Sequence, residues 1–297
     1  MATAQQEGGA SGGPTVLRML LGAQLRRLRE SQGVSRETAG WEIRASESKI
    51  SRMELGRVGF KERDVADLLT LYGVTGDDER TALLSLVGQA NTPGWWHRYG
   101  DLLPGWFQSY VGLEAAATLI RAYEIQFVPG LLQTEDYARA VIQLGHRNAS
   151  EEEINRRVSL RIDRQQVLTR PDPPRLWVVI DEAALRRPIG GPEVMRAQIE
   201  TLIKAAKLSN VTLQVIPFHA GGHAATGGGF TILRFPDQDL PDVIYVEQLI
   251  SALYFDKRED VDRYAEAMEL LCVYAATPAR SGEILDRIRH DLGASGT

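Results

Sequence analysis

The segment from Ser35 to Gly56, SRETAGWEIRASESKISRMELG, constrains the fold most, because it holds start and stop signals for two short helices in immediate succession. Ser35 is a favourable N-cap, and apolar residues at helical spacing after it predict a first helix over about 35–44. Ser46 can cap a second helix, and Gly56 stands where a left-handed residue ends one. Two short helices joined by a tight turn are the outline of a helix-turn-helix motif.

The second of these helices begins with polar residues. Glu47, Ser48 and Lys49 follow the cap, and Arg52 lies one turn later. Short hydrogen-bond donors and acceptors ahead of a basic residue reach base edges when the N-terminus of a helix enters the major groove. The pattern therefore predicts that this helix reads duplex DNA.

The formal net charge of -5 is distributed unevenly along the chain. Residues 17–63 carry eleven Lys and Arg against six Glu, a local balance of +5, so the remainder of the chain carries -10. A protein that binds DNA with one domain needs positive charge there, because that domain is attracted to phosphate, while a separate effector domain can be acidic. The basic segment 17–63 beside an acidic remainder fits this arrangement. A solvated basic face is the alternative, and the motif within the basic segment favours DNA binding.

Further helices are predicted on both sides of the motif. Leucines at helical spacing predict a helix over about 16–32, whose arginines, including Arg29, are expected to point outward. Apolar spacing predicts two more helices, over about 65–72 and 77–87. Five short helices form an all-α bundle over residues 16–90.

Several motifs resemble the XRE/Cro/cI family of DNA-binding domains: Leu21-Gly22, GVSRET, SESKISRMELGR and DLLTLYGV, within about 17–74. The resemblance implies that Arg36, at a position where Gln is usual, contacts a phosphate and that the second motif helix reads the groove. The full set of predicted DNA-binding residues is Arg36, Ser46, Glu47, Ser48, Lys49, Arg52, Arg57 and Lys61.

Two residues depart from the pattern of that family. Glu47 stands where a basic or amide residue is frequent, so it can read a cytosine amino group, pair with Lys49 or Arg52, or repel phosphate. Arg44 occupies the position in the turn where Gly is usual.

The second half of the chain predicts an α+β domain with a small mixed sheet over residues 109–297, after an aromatic, Gly- and Pro-rich linker at 91–108. Its aromatic residues can stack on bases or pack against the second domain, and packing is preferred. The arginine-rich helix predicted over 150–168 is expected to present a solvated or interface-forming face rather than a second DNA site. The remaining predicted elements are a helix over 113–122, a helix capped by Thr134 that carries Tyr137, Val141 and Ile142, strands over 176–180, 211–217, 230–235 and 243–247, and helices over 193–207, 260–274 and 281–292.

This half is similar to the antitoxin-like effector domain that follows XRE modules in regulators of filamentous, sporulating bacteria. The resemblance covers about 95–291 and rests on FVPGLLQTEDYARAVI, WVVIDEAALRRPIGG and VTLQVIPFHAGGHAATGGGF. It implies binding of a very small protein encoded nearby, in a pair described as toxin-antitoxin-like.

The sequence gives little support to catalysis, so no catalytic residue, cofactor or metal site is predicted. His219 and His223 are four residues apart, but the two glycines between them oppose the helix that would bring both to one face. Asp181, Glu182 and Glu247 lack a visible base or nucleophile beside them, and the Gly-rich stretch lacks the ending of a phosphate loop.

Composition and the chain start predict the compartment. Residues 1–15 lack the apolar run of a signal peptide and are expected to be a disordered leader. The sequence contains no charge-free apolar stretch long enough to predict a membrane helix. Cys272 is the single cysteine, so an internal disulfide is excluded.

These observations predict a cytoplasmic, nucleoid-associated transcription regulator that binds double-stranded DNA as a homodimer and is not an enzyme. Its second domain is expected to bind a small protein partner. The alternative is a one-component regulator whose second domain senses a small-molecule ligand.

Overall fold

The computed structural model describes residues 13–237 and 240–294, and the chain forms two compact units that divide between Trp95 and Trp96. Residues 1–12 of the predicted leader lie outside the described residues, whereas Pro14 and Thr15 already belong to the first helix. No helix within the described ranges is both long enough and apolar enough to cross a membrane.

The first unit is all-α, as predicted. Its helices are α1 (Pro14–Ser31), α2 (Arg36–Glu42), α3 (Glu47–Glu54), α4 (Glu62–Leu71) and α5 (Asp77–Ala90). Left-handed glycines end three of them, at Gly33, Gly56 and Gly73, where the sequence predicted helix ends.

The core of this unit forms where α1, α3 and α4 present apolar residues inward. Leu21, Ile50 and Leu69 are fully buried there. Gly22 allows α1 to approach α3 closely, because a Cβ atom at this position would lie 2.4 Å from the Met53 carbonyl oxygen. The Leu21-Gly22 pair of the sequence motif is thus a packing feature of the bundle.

The second unit contains a six-stranded sheet and seven helices within its described residues. The strands are β1 (Leu119–Glu124), β2 (Arg175–Asp181), β3 (Val211–Ile216), β4 (Phe230–Arg234), β5 (Val243–Glu247) and β6 (Ala252–Phe255). The helices are α6 (Gly105–Ala116), α7 (Glu135–Gly145), α8 (Glu151–Gln165), α9 (Glu182–Arg186), α10 (Pro192–Ala205), α11 (Arg258–Tyr274) and α12 (Pro278–Ala294).

The sheet is mixed, which confirms the predicted α+β class. Its strand order is β3-β2-β1-β4-β5-β6, with β1, β2 and β3 parallel and the other neighbours antiparallel. Helix α11 packs on one face through Met268 and Leu271, both fully buried against strand residues such as Val179 and Ile232.

The prediction of a helix over 113–122 was wrong in its second half. Helix α6 ends at Ala116, and β1 follows as a strand paired on both sides, with β2 and with β4. Pairing with two partners outweighs the helix propensity of the preceding alanines. The predicted linker, 91–108, contains a 3-10 helix over Trp95–Tyr99 and the first residues of α6.

Arg164 belongs to the arginine-rich helix that was predicted to present a solvated or interface-forming face, and its side chain is buried inside the second unit. Its guanidinium donates from Nε and Nη2 to the two carboxylate oxygens of Glu114, at 2.9 and 2.8 Å. The rings of Phe107 and Tyr110 lie 5.0 and 5.4 Å from its guanidinium carbon. Arg164 therefore joins α8 to α6 inside the second unit.

Candidate nucleic-acid interface

The two motif helices are capped as the sequence predicted. The hydroxyl of Ser35 accepts a hydrogen bond from the Thr38 amide at 3.0 Å, and that of Ser46 accepts from the Lys49 amide at 3.2 Å. Helix α2 ends at Glu42, two residues before the predicted end. The caps fix where α3 begins, and so which of its side chains stand at its N-terminus.

The turn between the motif helices contains a strained residue. Arg44 has φ = 55° and is the single non-glycine residue with positive φ in the described part of the chain. This conformation costs an L-residue roughly 1–2 kcal/mol. The turn therefore keeps the left-handed geometry for which related domains use Gly, although Arg stands here.

An ionic cluster of Arg29, Arg36 and Glu54 joins α1, α2 and α3. Glu54, 5% exposed, accepts from Nε of Arg29 and, at 2.9 Å, from Nε of Arg36. Arg29, predicted to point outward, is only 7% exposed, and the hydrogen bond that it donates to Glu54 raises its pKa above the usual arginine value. That prediction was wrong because the partner of Arg29 lies 25 residues away in the chain.

The predicted DNA-binding residues fall into two groups. Ser46, Glu47, Ser48, Arg52 and Lys61 are exposed. Nε of Arg52 lies 3.4 Å from the Ser48 carbonyl oxygen, so this side chain bends back along its own helix. Arg57 is half-buried.

Two members of the set are already engaged with carboxylates. Nζ of Lys49 lies 2.8 Å from Oδ2 of the buried Asp64, and Arg36 pairs with Glu54. Their side chains remain 32% and 30% exposed. The structure thus leaves Ser46, Glu47, Ser48, Arg52 and Lys61 exposed and holds Lys49 and Arg36 in ion pairs while part of each side chain stays exposed.

Trp41 is an exposed aromatic residue that the sequence reasoning missed. It lies in the last turn of α2, three residues before Arg44, and is 78% exposed. Its position off the apolar spacing of Ala39 and Ile43 was the available signal.

The second unit uses its candidate catalytic side chains structurally. Asp181 accepts from the Ala183 amide at 2.8 Å and caps α9, and Glu182 accepts from the Phe218 amide at 2.9 Å. Nε2 of His223 lies 2.8 Å from the Tyr123 hydroxyl, while His219 is exposed. Within the described ranges, no three His, Cys, Asp or Glu side chains gather as metal ligands would.

The Gly-rich stretch borders a cavity of about 210 Å³ beside α11. Phe230, Val246 and Tyr264 give it an apolar wall, and Arg263 lies at its border. Its size suits a small ligand with an apolar body.

Glu124, at the end of β1, is the carboxylate most perturbed by its surroundings. Burial, followed by the charge of Glu247, raises its pKa to about 8, against a smaller opposing effect of Arg161. In the unfolded chain the Glu124 carboxyl loses its proton near pH 4.3. Between about pH 5 and pH 8 the unfolded chain therefore binds fewer protons than the folded protein. The contribution of Glu124 to stability is therefore complete at low pH and disappears as the pH rises toward 8.

Glu124→Gln is expected to remove this pH dependence. Between pH 5 and pH 8 the unfolding free energy of the variant should rise relative to that of the natural protein, because glutamine binds no proton in either the folded or the unfolded state. Urea unfolding at both pH values measures the difference. Glu266→Gln, at an exposed position of α11, is the matched control, and its unfolding free energy should differ from that of the natural protein by the same amount at pH 5 and at pH 8. A gain no larger for Glu124→Gln than for the control would contradict the raised pKa.

Two families match the chain. A helix-turn-helix domain matches residues 20–83, which confirms the N-terminal DNA-binding domain. A domain of unknown function, DUF5753, matches residues 107–287, more than half of the chain. No curated protein and no solved structure matches. The chain therefore belongs to the DUF5753 family and carries a helix-turn-helix DNA-binding domain before that domain in the sequence.

Proposed function

We propose that this protein is a sequence-specific transcription regulator of the nucleoid, whose second unit binds a small protein partner and does not catalyse a reaction. The observation that carries the DNA-reading role is the exposed face of the capped helix α3, where Ser48 in the first turn and Arg52 one turn later are both exposed. A helix N-terminus attracts phosphate through its free amides, and the side chains beside it contact base edges.

The proposed roles within this surface differ. Arg52 and Ser48 read bases in the major groove, while Arg36, Arg57 and Lys61 contact phosphates. Lys49 contributes less than Arg52, because its ammonium group is already paired with Asp64. Glu47, at the first position of α3, is proposed to accept from a cytosine amino group.

Binding to duplex DNA tests this proposal. The probe is a duplex site selected by the protein from random sequences. Its affinity should fall steeply as salt is added, because phosphate contacts release counterions, and a plot of log Kd against log salt concentration measures the slope. Arg52→Ala should reduce discrimination between the selected site and random DNA by about 1–3 kcal/mol, whereas Arg36→Ala should weaken both alike.

Arg196→Ala is the matched control for these variants, since Arg196 is an exposed arginine of α10 in the second unit. It should leave discrimination and the salt slope unchanged. Loss of discrimination in Arg36→Ala but not in Arg52→Ala would reverse the assigned roles, and affinity independent of salt would end the proposal.

The second unit is proposed to change operator occupancy when its partner binds. The partner must prefer either the DNA-bound or the free protein, and a tenfold change in operator affinity needs about 1.4 kcal/mol of such coupling. The test is operator affinity with and without the small protein encoded nearby. The cavity of about 210 Å³ favours a second candidate, sensing of a small ligand, which would replace the first if a metabolite shifted operator affinity and the small protein did not.

A further inference from the structure

An ion pair joins helix α3 to helix α4. Lys49 is the third residue of α3, and Asp64 is the third residue of α4. Nζ of Lys49 lies 2.8 Å from Oδ2 of Asp64, so the ammonium group donates a charge-assisted hydrogen bond to the carboxylate. The side chain of Asp64 is 3% exposed, whereas that of Lys49 is 32% exposed. One partner is thus enclosed by protein, and the other stays in partial contact with water.

The buried carboxylate of Asp64 depends on Lys49 for its counter-charge. Within the described part of the chain, Lys49 is the single hydrogen-bond donor to Asp64. Nη2 of Arg63 lies 3.7 Å from the other carboxylate oxygen, and the Arg63 side chain is 72% exposed, so water weakens that attraction. Removing one member of a buried ion pair leaves the other charge without compensation. Lys49 can therefore leave Asp64 only at a cost in free energy.

The other basic residue of α3 is not held in this way. Nε of Arg52 contacts the Ser48 carbonyl oxygen at 3.4 Å, and Arg52 pairs with no carboxylate among the described residues. Of the two cationic side chains on α3, Arg52 can therefore approach DNA without losing a counter-charge, and Lys49 cannot.

We propose that Asp64 competes with DNA phosphates for Lys49 and thereby lowers the affinity of the protein for any duplex. The inference rests on the proposed function and adds to it a positioning residue that acts through Lys49. A lysine that neutralises a phosphate releases counterions whatever the sequence, because phosphate contacts carry no sequence information. With Asp64 in place, Lys49 adds little to this sequence-independent attraction, and α3 reads DNA through Ser48 and Arg52.

Asp64→Asn is expected to raise the affinity for the selected duplex and for a random duplex of the same length. The substitution removes the carboxylate and keeps the size of the side chain, so the ammonium group of Lys49 is released to reach a phosphate. One more neutralised phosphate steepens the plot of log Kd against log salt concentration by about 0.9. Between about 50 and 200 mM salt the variant should therefore lose about three- to fourfold more affinity than the natural protein, in titrations of the full chain.

Two further variants separate this effect from a general change of charge. Asp67→Asn removes the same charge from the same helix, and Asp67 makes no ion pair within the described ranges, so this control should keep the natural salt slope. The double variant Lys49→Ala, Asp64→Asn should lose the gain shown by Asp64→Asn, since no ammonium group remains to be released.

The sign of the change excludes a merely structural role for Asp64, because a damaged fold lowers affinity for DNA. Urea unfolding shows that each variant is folded, and Asp64→Ser repeats the test with a smaller side chain if Asp64→Asn does not fold. A variant with the natural salt slope, or a gain that persists in the double variant, would overturn the inference.

These results are separable from failure of the proposed function. A natural chain that binds no duplex ends the proposed function and this inference together. A natural chain that binds the selected duplex with a steep salt dependence, beside an Asp64→Asn variant of unchanged slope, removes only the role of Asp64.

Discussion

Glu54→Ala is expected to destabilise the helix-turn-helix unit by about 3–5 kcal/mol. The substitution removes the carboxylate that pairs with Arg29 and Arg36, and it leaves the Arg29 guanidinium, 7% exposed, without its main counter-charge. Two hydrogen bonds of Arg29 remain, to the Val34 carbonyl at 2.8 Å and to the carboxylate of the half-exposed Glu30 at 3.2 Å, and water screens that second partner. Amide hydrogen exchange in α1 and α3 measures the unfolding free energy of this unit.

Glu42→Ala is the matched control, because Glu42 is an exposed glutamate at the end of α2, where removing a negative charge costs little. In an Arg29→Met background, Glu54→Ala should cost much less, since the buried cation is gone. An equal cost in both backgrounds would show that the loss comes from Glu54 packing and not from the stranded charge.

Glu114→Ala is expected to destabilise the second unit by about 3–5 kcal/mol. Glu114, 2% exposed, takes both hydrogen bonds that Arg164 donates from Nε and Nη2. Without it, the arginine keeps no hydrogen-bonded carboxylate, and the rings of Phe107 and Tyr110 attract a buried cation by about 2 kcal/mol, less than the expected loss. Hydrogen exchange in α6 and α8 measures the effect.

Glu152→Ala, at an exposed position of α8, is the control and should change exchange in α6 very little. The double variant Glu114→Leu, Arg164→Met should recover much of the lost stability, because an apolar pair of similar volume needs no counter-charge. If the amides of α6 were as well protected from hydrogen exchange in Glu114→Ala as in the control variant, the ion pair would not be needed for stability.

The features that sequence predicted best depend on local chemistry. Serine caps at positions 35 and 46 and left-handed glycines at 33, 56 and 73 act within one helical turn, so their effect is readable from neighbouring residues. Alternating or continuous apolar runs likewise predicted four of the six strands. These signals were sufficient for the helix-turn-helix and for the α+β class.

The features that sequence missed depend on distant partners. Arg29 was predicted to point outward and Arg164 to lie on a solvated or interface-forming face, because their carboxylate partners lie 25 and 50 residues away. Strand β1 follows an alanine-rich helix and is defined by partners that come much later, and β6 has only four residues. The ion pair between Lys49 and Asp64 was not predicted for the same reason, since Asp64 lies 15 residues later in the chain. This pairing reduces the contribution to DNA reading that we expect from Lys49.

The position of β1 in the sheet has a consequence for synthesis of the protein. Ile120 of β1 pairs with Leu233 of β4, so the centre of the sheet cannot close until most of the chain has left the ribosome. The first unit needs only residues up to Ala90 for its five helices, and nascent domains fold in order of emergence. Translation that stops between these points therefore releases a folded helix-turn-helix bundle tied to an unfinished sheet, a product that keeps the first unit and lacks a folded second unit.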